Sequence, residues 1–296
     1  MNRPKLILLV GIPGSGKTSY VKENIKENAI HLSSDAIRAE LYGDESIQGN
    51  PAEVFSLMQT MAVEALNNGK DVWYDATNVT RKDRASIINV CPKFVRIECR
   101  IIWAPIEECI KRDAIRDRTV GKAVIDKMLK RFQAPYVDEG IEDIYIIYSI
   151  KDFDSKEYTD NIISAMQIPH DNPHHTLNIF DHCVKAGEYL INQNDSDLIW
   201  FAALLHDIGK PYVKSFLDNK GNPCEYAHYY QHNCVSAWMF YGMTSMIEWP
   251  QLYYPKIAWL ISTHMDPFLN TKYYRNLPEF LKKDIDLLHE ADLAAH

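Results

Sequence analysis

Gly11-Ile-Pro-Gly14-Ser15-Gly16-Lys17-Thr18 follows directly on the continuous apolar run Lys5-Leu-Ile-Leu-Leu-Val10 and leads into a polar, helix-compatible stretch that ends near Asn28. This order constrains the fold more than any other feature of the chain. An apolar run of strand length needs neighbours on both faces, as in a buried parallel sheet. The segment fits G-x-x-x-x-G-K-[ST], in which glycines let successive N–H groups turn inward around a phosphate at a helix start. Lys17 is placed to reach the β/γ-phosphates, and the Thr18 hydroxyl is placed for Mg²⁺. A glycine-rich turn without ligand is the alternative, and the strand before it and the helix after it argue against that. The expected nucleotide contacts are Gly11, Gly14, Ser15, Gly16, Lys17 and Thr18.

Further apolar runs at 29–32, 71–74, 94–103 and 144–150 alternate with helix-like segments such as 51–67. The first half therefore reads as a parallel α/β sheet flanked by helices. The charged stretch 151–160 has no apolar period and marks a linker or a bridging helix. Beyond it, apolar positions recur at helical spacing (Leu177, Phe180, Val184, Gly187, Leu190; 198–208; 235–241), so the second half reads as nearly all α. The expected domains are 1–152 and 160–296.

Composition divides along the same line. Across 296 residues the net charge is −8, with 21 basic against 21 acidic residues up to position 150 and 11 against 19 after it. Ten of eleven histidines lie in the second half, which points to two different chemistries. No apolar run reaches the roughly 18 residues a membrane span needs, and Met1–Val10 is too short for a signal segment, so a cytoplasmic protein with no membrane partner is expected. The six cysteines form no C-x-x-C pair, which disfavours a zinc knuckle or a disulfide framework. Net negative charge disfavours coating of long duplexes but leaves room for one basic cleft.

A phosphate-binding loop alone does not separate a kinase from a GTPase or a motor. His31-Leu-Ser-Ser-Asp35-Ala-Ile-Arg38 follows the second expected strand and sets Asp35 and Arg38 one helical turn apart. A carboxylate there can orient and deprotonate an acceptor hydroxyl while Arg38 grips a neighbouring phosphate; a helix cap beside a solvated arginine is the other reading. Asp75-Ala-Thr-Asn78 ends the third strand, where Asp75 could orient Arg38 or the metal shell. Residues 111–131 hold eight basic and three acidic side chains, read as a basic helical lid or a solvated helix.

GIPGSGKT, SSDAIR, DATN, the basic lid running into VGKAVIDKMLKRF and the APYVDEG tail together resemble the 5′-hydroxyl polynucleotide kinases among P-loop phosphotransferases, over roughly residues 4–150. The resemblance implies ATP or another NTP with Mg²⁺, Asp35 as general base and Arg38 on the acceptor's phosphate. It also implies a lid arginine on the transferring phosphate, either Arg116 or Arg118.

His206-Asp207 lies in Ala202-Ala-Leu-Leu-His206-Asp207-Ile-Gly209-Lys210-Pro, with His182, His232, His264 and Asp292 on other helix-like segments. Imidazoles and carboxylates converging from several helices make a divalent site in a bundle core, though a satisfied core His–Asp pair fits the dipeptide alone. The order H…HD…H…H…D resembles the HD phosphohydrolases from about residue 172 to 292. By position the resemblance implies His182, His206, Asp207 and Asp292 on a first metal (Mn, Co, Ni, Fe or Zn), with His232 and His264 on a second metal or on substrate phosphate. Lys210 is a further phosphate contact. Such a metal acidifies its water and clamps phosphoryl oxygens. His170, His174, His175, His228 and His289 have weaker claims and are expected at the surface or behind the ligands. His175, seven residues before His182, is the strongest of these.

The two resemblances together imply an α/β P-loop kinase domain followed by an all-α HD domain. The function they imply is repair of RNA or DNA ends: phosphorylation of a 5′-hydroxyl and removal of a 3′-phosphate or 2′,3′-cyclic phosphate. A small-molecule or nucleotide kinase joined to an HD nucleotidase or phosphodiesterase, and a nucleotide-gated regulatory module with a ligand-sensing HD half, are the competing readings. Oligomeric state is not legible.

Overall fold

The apolar run at the start of the chain sits where its two-sided hydrophobicity demands. In the computed structural model, which describes residues 3–116, 118–173, 176–191 and 197–295, Lys5–Val10 is the central strand β1. The chain then forms α1 (Lys17–Asn24), β2 (Ile30–Ser33), α2 (Ser34–Tyr42), α3 (Pro51–Asn67), β3 (Val72–Asp75) and α4 (Arg81–Ile88). It continues through β4 (Arg96–Trp103), α5 (Ile106–Ala114), α6 (Lys122–Leu129) and β5 (Asp143–Tyr148). The strand order is β2-β3-β1-β4-β5, and every pairing is parallel, with Leu6 opposite Val72 on one side and Ile97 on the other. The chain leaves β1 toward one edge and later returns on its other side, so the loop after β1 lies at the crevice where parallel sheets bind ligands. Ile7, Leu9, Val21, Trp73 and Ile102 pack one core cluster beneath that loop.

Two boundaries differ from the sequence expectation. Helix α1 stops at Asn24 because Ile25 turns extended and joins the core cluster with Ala29. The basic stretch after α5 is not one helix. The buried carboxylate of Asp113 accepts the N–H groups of Val120 (3.1 Å) and Gly121 (2.8 Å). That closes a loop in front of α6, with Gly121 at φ +82°.

The chain divides into two compact units, Met1–Met128 with Pro135–Lys151, and Leu129–Ala134 with Asp152–His296. In the second, α7 (Ser155–Ala165) begins inside the charged stretch read as linker or bridging helix, and the Asp154 side chain accepts its Glu157 N–H. Next come α8 (Ile179–Ile191), α9 (Asp197–Leu205) and α10 (Lys210–Val213). After them lie α11 (His232–Met243), α12 (Tyr254–Thr263), α13 (Asp266–Leu269), α14 (Lys272–Asn276) and α15 (Glu279–Ala294). Ile179, His182, Cys183, Ala186 and Leu190 form the buried face of α8, and Leu281, Ile285, Leu288 and Ala291 that of α15. Both follow the helical repeat. The helical unit also holds an antiparallel hairpin, β6 (Ser215–Leu217) with β7 (Pro223–His228), placed between α10 and α11. Phe132, from the short segment grouped with this unit, packs edge-on against Trp238 at 5.3 Å.

Candidate active sites

The loop after β1 has the backbone that only glycine allows at its tightest points. Gly14 has φ +79°, and a Cβ there would lie 2.1 Å from the Cys109 carbonyl oxygen. Gly16, at φ +96°, stands before α1 with Ser149 against it. A Cβ on Gly11 would meet the Ser15 Oγ at 2.5 Å, and that hydroxyl is buried without a hydrogen bond among the described residues. Lys17 Nζ folds back over the loop, donating to the carbonyls of Gly11 (2.9 Å) and Ile12 (3.0 Å). Burial pushes its ammonium below the ordinary lysine value, while Asp75 opposes the shift.

Thr18 Oγ1 donates to Asp75 Oδ2 at 2.9 Å, and His31 Nε2 lies 3.0 Å from the same oxygen. The structure thus brings Asp75 to Thr18 and His31; Arg38 goes elsewhere. Its Nη1 pairs with Asp35 Oδ1 at 2.7 Å, and Arg118 Nη1 meets that same oxygen at 2.9 Å. Of the two lid arginines, Arg118 is the one on Asp35, whereas Arg116 is exposed. Asp35 lies in the first turn of α2, whose Ser33 cap accepts the Ala36 N–H, and this sets the carboxylate at the carboxyl end of β2.

His31, Ser149 and Arg84 carried no expected role, and Arg112 only a place in the basic stretch 111–131. Arg112 donates to the Oγ and carbonyl of Ser149, both at 2.9 Å, and Ser149 Oγ donates to the Ser15 carbonyl. The phosphate loop is therefore tied from behind to the end of β5. Arg84 is fully buried, forms a two-pronged pair with Glu139 and donates to the Asn78 carbonyl at 2.9 Å, while Asn78 Nδ2 donates to Leu9 O. The DATN and APYVDEG segments meet in this pair. His31 had a signal in the strand alternation that puts it on the face of Ser33; the partners of Arg84 and Arg112 lie 55 and 37 positions away and leave no local trace.

In the second unit, six side chains from five segments converge. His182 comes from α8, His206 and Asp207 from the turn after α9, His232 from the start of α11, His264 from the end of α12, and Asp292 from α15. Gly209 makes the turn possible, since a Cβ there would lie 2.6 Å from Ser236 N and 2.7 Å from His232 O. His182 Nε2 is 3.3 Å from His206 Nε2 and 3.0 Å from Asp292 Oδ1. His206 Nε2 is 3.2 Å from Asp207 Oδ2, and His232 Nε2 is 3.0 Å from both Asp207 Oδ1 and His264 Nε2. Asp207 thus turns one oxygen to each histidine pair. The six residues fall into two groups that share Asp207, and the ligand atoms within each group lie within 4.8 Å of one another.

The tautomers point the same way. His206, His232 and His264 each place Nδ1 on the carbonyl three residues back, at 2.7, 2.8 and 2.8 Å, and His182 Nδ1 faces Ala295 O at 3.4 Å. The Nδ1–H is committed to the backbone, so the Nε2 atoms face one another and the Asp207 and Asp292 carboxylates across about 3 Å, an arrangement that needs a shared proton or a cation among them. Burial holds the His264 imidazole down to about 3, helped by His206 and His232, so it stays neutral. Asp207 is held well below the ordinary carboxylate range: burial opposes this, and His206, Lys210 and His232 outweigh it. His206 is held above its usual value, where burial again opposes and Asp207 prevails. The donor set of imidazoles and carboxylates suits a borderline divalent metal.

Lys210 Nζ reaches Asp207 Oδ2 at 2.6 Å. His170, expected at the surface or behind the ligands, is buried with its Nε2 3.2 Å from Lys210 Nζ. His228 stacks on Tyr230 at 5.1 Å, and His289, partly exposed on α15, is not in either group. His174 and His175 lie outside the described residues.

Residues 6–135 match the family model described as an AAA domain, and residues 174–292 match that of an HD domain. The transcription factor bHLH140 of Arabidopsis thaliana is 27% identical over 157 residues, 51% of this chain and 16% of that protein. A solved structure of the Pnkp1/Rnl/Hen1 RNA repair complex matches at 24% identity and TM-score 0.41, covering 44% of each chain. A second structure of the Pnkp1/Rnl/Hen1 complex matches at 22% and 0.36, covering 52% of this chain and 49% of that one. This chain therefore spans less than half the length of each of these relatives. Among the described residues, no helix is long and apolar enough to cross a membrane.

Proposed function

We propose that this chain, an AAA domain followed by an HD domain, heals the two ends of a broken RNA or DNA strand: the first unit phosphorylates a 5′-hydroxyl from ATP or another NTP, and the second removes a 3′-phosphate or 2′,3′-cyclic phosphate. The observation that carries the reading is Asp35, at the carboxyl end of β2 and shared by Arg38 and Arg118. A GTPase or motor has no need of a carboxylate so placed, whereas an acceptor hydroxyl does.

In the forward step the acceptor oxygen attacks the γ-phosphorus, the bond to the β-phosphate bridging oxygen breaks, and the hydroxyl proton passes to Asp35. Both arginines use Oδ1, which among the described residues leaves Oδ2 to take that proton. Lys17 exchanges its two loop carbonyls for β/γ-phosphate oxygens, Gly11, Gly14, Ser15 and Gly16 shape the cradle, and Thr18 with Asp75 would hold a Mg²⁺ accompanying the nucleotide, which would draw charge from the phosphate oxygens. Arg38 takes the acceptor's own phosphate. Arg118 moves from Asp35 to the transferring group, where a preorganised cation stabilises developing charge.

In the second unit His182, His206, Asp207 and Asp292 would hold one divalent ion, and Asp207, His232 and His264 another. Such ions draw charge from phosphoryl oxygens and acidify water. The chain's own part is to fix the Nε2 donors through backbone carbonyls, to neutralise Asp207 with Lys210, and to keep the ligands in a dry core.

The test is phosphate transfer from labelled ATP to 5′-hydroxyl RNA and DNA oligonucleotides, run beside release from 3′-phosphate, 2′-phosphate and 2′,3′-cyclic ends with Mn²⁺, Co²⁺ or Ni²⁺. Asp35→Ala abolishes transfer and spares release; Asp207→Ala does the reverse. Absence of transfer to any oligonucleotide overturns the reading.

A further inference from the structure

We propose that His170 and Tyr229 are positioning residues that set the orientation of the Asp207 carboxylate by way of Lys210. The proposal rests on the reading of the second unit as a metal site. Asp207 is common to both ligand groups, with Oδ2 toward His182 and His206 and Oδ1 toward His232 and His264. Rotation of that carboxylate would misplace both groups together, so whatever fixes its plane governs the whole centre. Lys210 Nζ grips Oδ2 at 2.6 Å, but a lysine on a flexible four-carbon stem is a poor fixed point unless it is itself held.

Two contacts hold it, and a third secures one of the holders. His170 Nδ1 lies 2.8 Å from the Leu177 carbonyl, so its N–H is committed there and Nε2 is left to accept from Lys210 at 3.2 Å. The Tyr229 ring lies under the ammonium, 5.5 Å from its centroid, in cation–π contact. Tyr229 O–H donates to the His170 carbonyl, which pins the residue that holds the lysine. Tyr229 contributes a second time, since its own carbonyl accepts His232 Nδ1–H at 2.8 Å. His170 packs edge-on against His182 at 5.5 Å. The segment bearing His170 is anchored by Lys214, which donates to Pro169 O at 2.8 Å and pairs with Asp171 at 2.6 Å. A lysine needed only for charge balance requires no imidazole acceptor. This one has an imidazole and an aromatic ring, both tied back to the ligand histidines.

The experiment is Mn²⁺ binding by titration calorimetry on the full chain, for the wild type, His170→Ala, His170→Gln, Tyr229→Phe, Lys210→Met and the double variant His170→Ala/Lys210→Met, with thermal melts on each. His170→Ala weakens Mn²⁺ about 10-fold or more, the range for groups that orient metal ligands. His170→Gln, whose amide oxygen can accept from Lys210, recovers to within about 3-fold. The double variant binds like Lys210→Met alone, because a residue that acts through another has no effect once that other is gone. Tyr229→Phe, which keeps the ring and loses one hydrogen bond, shows a smaller loss in the same direction. Wild-type affinity in a folded His170→Ala, tighter binding, or losses that multiply in the double variant overturn the positioning role. If the wild-type chain itself takes up no Mn²⁺, Co²⁺ or Ni²⁺, the metal reading fails along with it, an outcome distinct from the other three.

Discussion

Gly209→Ala puts the geometry of the second unit to a severe test. Gly209 has φ −84°, so alanine meets no backbone strain and the whole effect is steric. The added Cβ would lie 2.6 Å from Ser236 N, 2.7 Å from His232 O and 2.9 Å from Ser236 Oγ. Ordinary contact begins near 3.4–3.5 Å, so the turn and the start of α11 must separate by about 0.7 Å. The two nearest obstacles are backbone in helical hydrogen bonding and cannot swing aside. Overpacking of this kind costs about 1–3 kcal/mol. Loss of the Gly209 N–H bond to Ser236 Oγ, now 2.9 Å, adds about 1 kcal/mol, for roughly 2–4 kcal/mol together. At about 2–4 °C per kcal/mol for a unit of this size, the transition assigned to it drops by roughly 5–15 °C. The same displacement carries His232 away from Asp207 Oδ1, now 3.0 Å away, so Mn²⁺ affinity falls by about 10-fold or more, while ATP binding by the first unit keeps its wild-type Kd. Calorimetry read for both Tm and metal binding decides the matter. A Gly209→Ala chain that melts within a degree of wild type and binds Mn²⁺ normally would refute the close approach on which this account of the turn rests.

Other expectations follow from single contacts. Arg118→Ala lowers kcat for 5′-phosphorylation by about 10²–10³-fold, and Arg116→Ala by less than about 3-fold on the same scale; rates in the opposite order would give Arg116 the role assigned here to Arg118. Arg84→Met strands the Glu139 carboxylate, which is 7% exposed, and costs about 3–5 kcal/mol, read as a lower denaturant midpoint in the first unit. Replacement of both partners, Arg84→Met with Glu139→Leu, restores most of that stability; if it does not, the pair is not the cause. Chelation of metal from the loaded protein abolishes phosphate release, leaves the fold of the first unit unchanged and lowers the melting point of the second, since a ligand that binds only the folded state stabilises it by mass action. A melting point of the second unit that is indifferent to chelator would count against convergence of the imidazoles on a cation.

The α/β-then-α order was legible because it is written locally. An apolar strand, a glycine turn and a polar helix are adjacent in the chain, and the backbone freedom each needs is a property of those residues alone. That His182, His206, Asp207, His232, His264 and Asp292 would come together was legible from residue types on separate helix-like segments and from the resemblance they carry. What spacing could not carry is which atom faces which. That Asp207 gives one oxygen to each histidine pair, that Arg118 and not Arg116 reaches Asp35, and that Asp75 meets His31 in place of Arg38 are all set by long-range packing. In each case helices or strands far apart in sequence must dock before two side chains can meet. His170 shows the limit most sharply. As a lone histidine before α8 it carried no periodic signal, and only the packing of Lys210 and Tyr229 around it made it part of the centre. Local sequence determined the scaffold and the chemical vocabulary, because turns and amphipathic faces are short-range; the tertiary structure determined the pairings, because burial, desolvation and hydrogen-bond geometry exist only once the core has closed.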